Sequence, residues 1–286
     1  MLSRILLWAC RRSWRVYQWA DFTAANRGCS IPVIRGLGLD LFRPPDEGLL
    51  RAIRHVANTG RKGWYVDVGA NLGQSLLLLI EEGSGHPYLG FEPNLDAAYY
   101  VHRLIEANGT KDSFVLPVGL SNREGTATLH LSAKGDESGT VETRMRPLSM
   151  YEKAVRVTLS TGDRQLADLD DIFFLKLDCE GHEIRALEGM RGIIESKRPP
   201  LYFEVMGYAH LLDGTYPREY FGELSQDQVE SVVEARQRNC RQMDELMTSL
   251  GYRLTKVSSK ELQPVARIAD SLPGKGEMNF LAEPVS

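Results

Sequence analysis

Two groups of residues in this chain have the types and the spacing needed for chemistry, and each follows an apolar run. The first is the turn DVGANLGQ, in which Asp67, Gly69 and Gly73 come after the apolar residues 64–66. Glycine lets the backbone approach a ligand closely, and a carboxylate attracts a cationic centre but repels a phosphate. The glycine spacing differs from the G-x-G-x-x-G of dinucleotide-binding turns. The turn therefore predicts a nucleoside ligand with a cationic tail rather than NAD.

A second acid supports this prediction. Glu92 ends the next apolar run, in GFEPN, and follows Asn71 by 21 residues. A carboxylate at that distance suits hydrogen bonds from both hydroxyl groups of a ribose. A single acid at the end of a strand, such as Asp67, is often only a helix cap. With Glu92 in register on the following strand, nucleoside binding is the favoured interpretation.

The second group is the stretch LKLDCEGHEIRALEG, with Asp178, Glu180, His182 and Glu183 within six positions. One interpretation makes these side chains ligands of a divalent metal. In the other, the carboxylates position a cofactor amine and a substrate while His182 takes a proton, as suits a group with a pKa near working pH. Glu183 is expected to stabilise the following helix through its dipole. Glu204, at the end of LYFE, lines the acceptor pocket or anchors a loop.

These groups need a sheet that brings strand ends together. The runs GWYVDVG, PYLGFEP, SFVLPVGLS, DIFFLKLDCEGHE and PPLYFEVMG are apolar throughout, which is typical of parallel strands buried on both faces. Intervening helices end at Gly83 and at the pair Asn108–Gly109, and one helix is expected to carry Ile184 to Ile193 on a single face. The pattern predicts an α/β doubly wound sheet with right-handed crossovers.

Three further segments complete the expected organisation. Residues 123–160 predict a β-rich insertion with strands in GTATLHLSAK and AVRVTLST. A long polar helix around 225–250 ends at Gly251, and YRLTKV and MNFLAEP supply two more strands. Residues 22–60 form a mixed lead-in with a Pro-Pro break and a short amphipathic helix.

Composition excludes several classes of protein. The chain has 286 residues, 43% of them hydrophobic, and a formal net charge of −4, so no global basic field favours nucleic acid. Its 4 cysteines include no C-x-x-C pair and predict neither a zinc site nor a disulfide framework. No apolar stretch reaches the roughly 20 residues that span a bilayer.

The N-terminal residues 1–20 differ from this average. They contain Arg4, Arg11, Arg12 and Arg15 and no acid before Asp21. On a helix the arginines share one side, and leucine, isoleucine and tryptophan occupy most of the rest. Such a segment lies on an anionic membrane, targets an organelle, or packs on its own domain or on a partner. The cytoplasm is the expected compartment, with organelle targeting or peripheral membrane contact as the alternatives.

Five motifs in linked order resemble the FkbM-type S-adenosylmethionine-dependent methyltransferases: VDVGANLGQS, GFEPN, LPVGLSNREGTATL, FLKLDCEGHEIRALEG and RPPLYFE. The resemblance covers about residues 63–206. It implies a class I methyltransferase fold, with a Rossmann-like sheet of seven strands, mostly parallel, whose last strand is antiparallel. It divides the chain into a lead-in, residues 1–60, and a methyltransferase domain, residues 61–286. It also implies methyl transfer to a hydroxyl oxygen, commonly on a sugar or a polyketide-like small molecule.

The resemblance assigns roles to the predicted site residues. Glu92 would bind the ribose of S-adenosylmethionine, Ser121 would lie by the adenine, and Asp178 with Glu180 would lie beside the reacting centre. For the mechanism, we expect His182 to take the hydroxyl proton while Asp178 or Glu204 orients the acceptor. The methionine part would be held by Asp67, Gly69, Asn71 and Gly73, and Gln74 and Asn94 complete the predicted cofactor site.

Departures from the family pattern leave the acceptor open. An aromatic residue often occupies the place of Gln74, and the usual TLD reads TLSTGD here. Two other functions remain as alternatives: a non-catalytic nucleoside-binding scaffold, and a metal-dependent hydrolase built on Asp178, Glu180 and His182. The favoured interpretation includes no metal.

Overall fold

The computed structural model describes residues 21–132, 139–146, 151–216, 223–271 and 277–285. The predicted helix of residues 1–20 lies outside these ranges. The strands are β1 (Asp21–Asn26), β2 (Cys29–Ile34), β3 (Trp64–Val68), β4 (Tyr88–Phe91), β5 (Ser113–Leu116), β6 (Gly119–Leu120), β7 (Gly125–Leu131), β8 (Lys153–Ser160), β9 (Ile172–Leu177), β10 (Leu201–Met206), β11 (Tyr252–Val257), β12 (Leu262–Val265) and β13 (Glu277–Pro284). The helices are α1 (Glu47–Ala57), α2 (Gln74–Glu81), α3 (Leu95–Asn108), α4 (Gly162–Gln165), α5 (Glu183–Glu188), α6 (Arg191–Lys197), α7 (Ala209–Leu212) and α8 (Gln226–Leu250). Short 3-10 helices lie at Asp40–Phe42 and Ile268–Ser271.

A mixed sheet with the strand order β12-β11-β13-β10-β9-β3-β4-β5 forms the centre of the fold. Strands β10, β9, β3, β4 and β5 are parallel to one another. Strand β13 runs antiparallel to both β10 and β11, and β12 runs antiparallel to β11. The predicted α/β class with a largely parallel sheet is therefore confirmed.

The predicted strand count is wrong, because this sheet has eight strands rather than seven and two of them are antiparallel. The additional strand is β12, whose sequence LQPV does not have the pattern of a buried strand. Pro264 has no backbone N–H to donate, which restricts such a segment to the edge of a sheet. Strand β12 occupies that edge, where one side of the backbone needs no partner.

Helices cover both faces of the sheet, as the unbroken apolar strands predicted. On one face Val66 and Phe203 pack with Met243 of α8. On the other face Tyr65 packs with Leu76 of α2 and Tyr100 of α3. None of the helices in the described ranges is long and apolar enough to cross a membrane.

The predicted third strand, SFVLPVGLS, is two strands in different sheets. The chain leaves the large sheet at Pro117, and β6 joins β8 and β7 in a separate three-stranded sheet of order β6-β8-β7. Strands β7 and β8 lie where the sequence predicted the β-rich insertion. This small sheet follows directly after the end of β5, so the insertion borders the edge where ligands bind in such folds.

The predicted helix from Ile184 to Ile193 is also two elements, α5 and α6. Helix α6 has its own capped start, because the carboxylate of Asp163 accepts hydrogen bonds from the N–H groups of Gly192 (3.1 Å) and Ile193 (2.8 Å). A carboxylate from another element that caps a helix start fixes the position of a new helix. The periodicity of the sequence does not reveal a cap of this kind.

The lead-in contains a hairpin that the sequence analysis did not recognise. Strands β1 and β2 pair in antiparallel register around the turn Arg27–Gly28, and both turn residues have positive φ. The hairpin packs on α3, and Ile31 and Ile53 belong to the same hydrophobic cluster as α2 and α3. The predicted boundary at residue 60 therefore marks a change in sequence pattern and not a gap in the hydrophobic core.

Candidate active site

A cavity of about 280 Å³ opens at the carboxyl ends of β3, β4, β9 and β10. This is the position at which open α/β sheets bind ligands. Both groups of residues singled out in the sequence meet there. The predicted site residues that line the cavity are Gly69, Asn71, Gln74, Glu92, Asn94, Asp178, Glu180, His182 and Glu204.

The turn after β3 brings the two groups together. Gly69 has φ of 82°, and a Cβ at this position would overlap the carbonyl oxygen of Asp178. The backbone N–H of Asp178 donates to the carbonyl of Val68 at 2.9 Å, which holds the ends of β3 and β9 side by side. Asn71 and Gly73 also have positive φ, and Gly73 is the N-cap of α2. Glycine at position 69 is thus required for the close approach of the two loops.

Glu92 lies beside this turn, and each of its carboxylate oxygens accepts a hydrogen bond from a backbone N–H group. Its Oε2 accepts the N–H of Asn71 at 2.9 Å, and its Oε1 accepts the N–H of Asn94 at 2.8 Å. Burial raises the pKa of Glu92 to about 7, although both N–H groups favour the charged form. Each oxygen has a second lone pair, so the carboxylate can still accept two hydroxyl groups from a ligand.

Asn94 provides a donor next to Glu92. Its Oδ1 accepts the N–H of Asp96 at 3.1 Å and caps α3. Its Nδ2 is buried and has no hydrogen-bond partner among the described residues. An unsatisfied buried donor costs about 1–3 kcal/mol unless a ligand or a water satisfies it. The side chain lines the cavity, so a polar ligand there gains this hydrogen bond.

Asp67 lies beneath the cavity rather than on its wall. Its side chain is fully buried; it accepts a hydrogen bond from the Tyr88 hydroxyl at 2.9 Å and pairs with Lys176 Nζ at 3.2 Å. Lys176 also lies 3.3 Å from Asp178, whose side chain is 44% exposed. Burial alone lowers the pKa of Lys176, but Asp178 and Asp67 together raise it, so the ammonium stays charged.

Lys176 is a site residue that the sequence analysis missed. The signal was present, because a single lysine interrupts the otherwise apolar strand IFFLKL. A charged residue in a fully buried strand needs an opposite charge nearby. Its position two residues before Asp178 and opposite Asp67 in the sheet register supplies two. The carboxylate of Asp67 is thus neutralised before any cationic ligand reaches the cavity.

Glu183 shapes the loop that carries the second group. Its Oε1 accepts the N–H of Cys179 at 2.9 Å and the N–H of Gly181 at 3.1 Å. Burial raises the pKa of Glu183 to about 7. Glu183 is the first residue of α5, so this acid closes the loop onto the start of the helix, in line with the structural role expected for it.

His182 and Ser121 form a buried hydrogen-bonded pair at the cavity wall. His182 Nε2 lies 3.0 Å from Ser121 Oγ, and its Nδ1 has no partner among the described residues. Burial lowers the pKa of His182 to about 4, and Arg185 and Arg123 contribute to the decrease. The imidazole is therefore neutral at pH 7. Ser121 does not line the cavity itself, whereas the preceding Gly119 and Leu120 do.

The three residues weighed as metal ligands do not converge on one point. Asp178 pairs with Lys176, Glu180 pairs with Arg146 at 2.5 Å, and His182 contacts Ser121. Among the residues that the structure describes, no group of three or more His, Cys, Asp or Glu side chains is arranged to hold a metal ion. The geometry of this cluster gives no support to the metal-dependent hydrolase.

The β-rich insertion covers the cavity. The hydroxyl of Thr140 donates to the carbonyl of Glu180 at 2.9 Å, next to the Arg146–Glu180 ion pair. Arg236 of α8, which is buried, donates to the carbonyl of Met145 at 3.0 Å and to that of Gly207 at 2.5 Å. These contacts fix the insertion to the loops after β9 and β10. The apolar side chains that the insertion and its strands add to the cavity wall are Leu129, Leu131, Val141 and Leu159.

The chain matches one family model. The model of the methyltransferase FkbM domain covers residues 67–254, which include every residue of both groups. No curated protein matches the chain significantly.

Solved structures with similar folds have low sequence identity to the chain. The methyltransferase FkbM of Methylobacillus flagellatus is 17% identical with a TM-score of 0.42, and the match covers 77% of this chain and 43% of that chain. An SAH-bound methyltransferase of Podospora anserina is 8% identical with a TM-score of 0.42, over 98% of this chain and 86% of that one. The plantazolicin methyltransferase in complex with SAH and a monoazolic desmethylPZN analogue is 10% identical with a TM-score of 0.42, over 83% and 84%.

Proposed function

The chain belongs to the methyltransferase FkbM domain family, and from that premise we propose that it transfers the methyl group of S-adenosylmethionine to a hydroxyl oxygen of a small-molecule or sugar-containing acceptor. The family match confirms the resemblance that the five motifs indicated. The identity of the cofactor and the oxygen specificity form the proposal, and the arrangement of the cavity supports both.

The observation that carries the proposal is the fixed carboxylate of Glu92. Two backbone N–H groups, from Asn71 and Asn94, hold it on the cavity wall through hydrogen bonds of 2.9 and 2.8 Å. A carboxylate held in this way is ready to accept the two hydroxyl groups of a ribose without further ordering of its own side chain. Asn94 Nδ2, which lacks a partner among the described residues, supplies a donor for the same nucleoside.

The other end of the cavity suits the amino acid part of the cofactor. Gly69 lines the cavity, and the half-exposed carboxylate of Asp178 on the same wall is a negative group for an ammonium. Asp67 supports this end from below, because it fixes Lys176 and thereby the end of β9. We propose that Asp67 is a positioning residue and that Asp178 makes the direct contact.

S-adenosylmethionine supplies an electrophilic methyl group, so the protein mainly has to orient the acceptor and remove a proton. Holding the acceptor oxygen in line contributes up to about 7–11 kcal/mol in ideal systems. We propose that Glu204 and Asp178, both on the cavity wall, accept hydrogen bonds from the acceptor and orient its hydroxyl.

His182 is the proposed proton acceptor. Its pKa of about 4 makes it a weak base, but it is unprotonated at every pH near neutrality. As the new C–O bond forms, the attacking oxygen gains positive charge and its proton becomes much more acidic than an imidazolium. A weak neutral base is then sufficient, and it adds about 10²–10⁴-fold to the rate.

The test begins with calorimetric titration of the full chain with S-adenosylmethionine, with NAD⁺ as the control ligand. We expect binding of the first ligand alone, with the Glu92→Gln variant weaker and the exposed Glu106→Gln variant unchanged. Transfer of a labelled methyl group to members of a hydroxyl acceptor panel, beginning with sugars, then distinguishes an enzyme from a nucleoside-binding scaffold. Failure of both ligands to bind the wild-type chain would overturn the proposal.

A further inference from the structure

The loop after β9, residues 178–182, has an unusual backbone. Glu180 has φ of 56° and Gly181 has φ of 96°, so two successive residues are left-handed. Glycine adopts this conformation readily, whereas a glutamate is strained in it. The non-glycine residues of the described ranges that combine a positive φ with a place on the cavity wall are Asn71 and Glu180. A strained residue beside a cavity persists only where neighbouring groups hold it.

Glu183 holds the backbone of the loop on both sides of Glu180. Its Oε1 accepts the N–H of Cys179 at 2.9 Å and the N–H of Gly181 at 3.1 Å. Neither bond involves the carbonyl or the carboxylate of Glu180. The support for these two groups has to come from another segment of the chain.

The β-rich insertion supplies that support. The hydroxyl of Thr140 donates to the Glu180 carbonyl at 2.9 Å, and the guanidinium of Arg146 pairs with the Glu180 carboxylate at 2.5 Å. Met145 lies against Gly181, where an added Cβ would come within 2.6 Å of the Met145 Cγ. The insertion therefore contacts the two left-handed residues at three points.

The ion pair between Arg146 and Glu180 is largely shielded from solvent. The two side chains are 11% and 16% exposed. Salt screens such a pair less than a surface pair, and removal of one partner leaves the other charge in a poorly hydrated place. Glu180 lines the cavity and Arg146 does not, so Arg146 can influence the cavity through Glu180.

The two ends of the loop are held differently. Asp178, at the start, is tied to β3 by its N–H bond to the Val68 carbonyl at 2.9 Å, and its carboxylate pairs with Lys176. His182, at the end, directly follows the left-handed pair and contacts Ser121 at 3.0 Å. The direction in which the chain enters His182 therefore depends on the turn at Glu180 and Gly181, which the insertion holds.

We propose that Arg146 is a positioning residue that acts through the Glu180 carboxylate and holds His182 in its place on the cavity wall. Glu180 then maintains the geometry of the loop and does not contact S-adenosylmethionine directly. The consequence for catalysis rests on the proposed function. Arg146→Met should lower kcat by about 10²-fold, the effect of a misplacement of about 1 Å, and should leave the Kd for S-adenosylmethionine unchanged.

An NMR titration of the His182 imidazole tests the proposal without an acceptor, with the signal identified by its absence in His182→Ala. In the wild-type chain the pKa of about 4 keeps the imidazole uncharged above about pH 5.5. Arg146→Met should raise this pKa into the range of about 5.5 to 6.5, because a displaced loop admits water to the ring. Arg144→Met, at an exposed position of the same segment, is the matched control and should leave the titration unchanged.

Glu180→Met distinguishes displacement of the loop from a simple change of charge. Loss of the Arg146 cation alone would raise the pKa of His182, and loss of the Glu180 anion alone would lower it. Displacement of the loop raises it in both variants, and Arg146→Met/Glu180→Met should raise it no further than either single change. Glu180→Met also carries the test by itself if Arg146→Met does not fold.

Two results would overturn the proposal. One is a His182 titration in Glu180→Met that is unchanged or shifted to lower pH. The other is calorimetry in which Glu180→Met weakens S-adenosylmethionine binding and Arg146→Met does not, because Glu180 would then contact the cofactor directly. Calorimetry on the wild-type chain reports separately on the proposed function, since the titration of His182 needs neither cofactor nor acceptor.

Discussion

Lys176 lies 3.2 Å from Asp67 in a region closed to solvent, and this ion pair forms the floor of the candidate active site. Lys176 is also 3.3 Å from Asp178, which lines the cavity above it. A single ammonium group therefore connects the first residue group of the sequence analysis, in DVGANLGQ, with the second, in LKLDCEGHE. Asp67, Lys176 and Asp178 therefore form one charged network, because the ammonium group of Lys176 contacts both carboxylates.

The Lys176→Met variant should lose stability because it leaves the Asp67 carboxylate buried with only the Tyr88 hydroxyl as a side-chain partner. Removal of one member of a buried ion pair typically costs about 3–5 kcal/mol. Urea unfolding of the two proteins measures the difference in the free energy of unfolding. Lys260→Met, at an exposed position, is the control and should change it by less than about 0.5 kcal/mol. Equal stability of the two variants would show that Lys176 is not needed to neutralise Asp67.

Cofactor affinity should depend on pH through Glu92. Its pKa of about 7 means that the carboxylate is mostly protonated at pH 6 and mostly charged at pH 8. The charged form is the better acceptor for ribose hydroxyl groups, so S-adenosylmethionine should bind up to about tenfold more tightly at pH 8 than at pH 6. Calorimetry at both pH values checks this, and Glu92→Gln should remove the dependence. An equally steep dependence in that variant would assign it to another group.

The same pKa has the opposite effect on the stability of the free protein. A carboxyl group whose pKa is raised on folding favours the folded state only while it is protonated. Glu92 and Glu183 both have a pKa of about 7 in the fold, against 4.5 for the unperturbed group. Stability should therefore decrease as the pH rises from about 5 to 8. Thermal unfolding of Glu183→Gln should show a weaker decrease than the wild-type chain, and an unchanged slope would contradict the assignment.

The Gly69→Ala variant tests the close approach of the two loops. A Cβ at position 69 would overlap the Asp178 carbonyl, so the ends of β3 and β9 would have to separate. Gly83 also has positive φ, 61°, but nothing lies within 4 Å of a Cβ there. Gly83→Ala isolates the backbone cost, about 1 kcal/mol. We expect Gly69→Ala to cost more in unfolding measurements and also to abolish cofactor binding, which Gly83→Ala should leave intact.

The features that could be predicted from the sequence are those carried by local patterns. Apolar runs identified the strands that build the sheet, and the 21-residue spacing from Asn71 singled out Glu92, at the end of the next strand, as a carboxylate for a ribose. The structure brings the Asn71 N–H and the Glu92 carboxylate to 2.9 Å. Position along the sheet edge follows from topology alone, so both residue groups were expected at one cavity. Their individual roles in binding and catalysis stay predictions.

The features that the sequence did not reveal depend on contacts between distant segments. Asp163, in α4, caps the first turn of α6. Arg236 joins α8 to the carbonyl of Met145, 91 residues earlier in the chain. Strand β12 is not among the predicted strands, because LQPV is not an apolar run, and Pro264 within it is tolerated at an edge. The direct ligand role given to Asp67 rested on its residue type and its position in the sequence. Only the three-dimensional arrangement shows that the Asp67 carboxylate already forms an ion pair with Lys176.

The Arg236→Met variant separates acceptor positioning from cofactor binding. Arg236 joins the insertion to the end of β10 through the carbonyls of Met145 and Gly207. Loss of these bonds should loosen the wall of Val141 and Leu131 without moving Glu92. We expect a higher KM for the acceptor and an unchanged Kd for S-adenosylmethionine. Arg238→Met, at an exposed position on the same helix, should leave both constants unchanged. A parallel loss of cofactor affinity in Arg236→Met would indicate a general structural role.

His182 should determine the methyl-transfer rate without determining cofactor affinity. His182→Ala should lower kcat by about 10²–10⁴-fold while S-adenosylmethionine binding stays the same. His102→Ala, at an exposed position on α3, is the control.

Burial lowers the pKa of His182 to about 4, so the protonation of His182 should not change kcat between about pH 5.5 and 8. A histidine with an unperturbed pKa would instead lower kcat below about pH 6.5. A fall in kcat centred near pH 6.5 that disappears in His182→Ala would show that the imidazole is charged more easily than its burial implies. Near-normal turnover of His182→Ala would instead transfer the proton-accepting role to a carboxylate on the same wall, with Glu204→Gln as the next variant to measure.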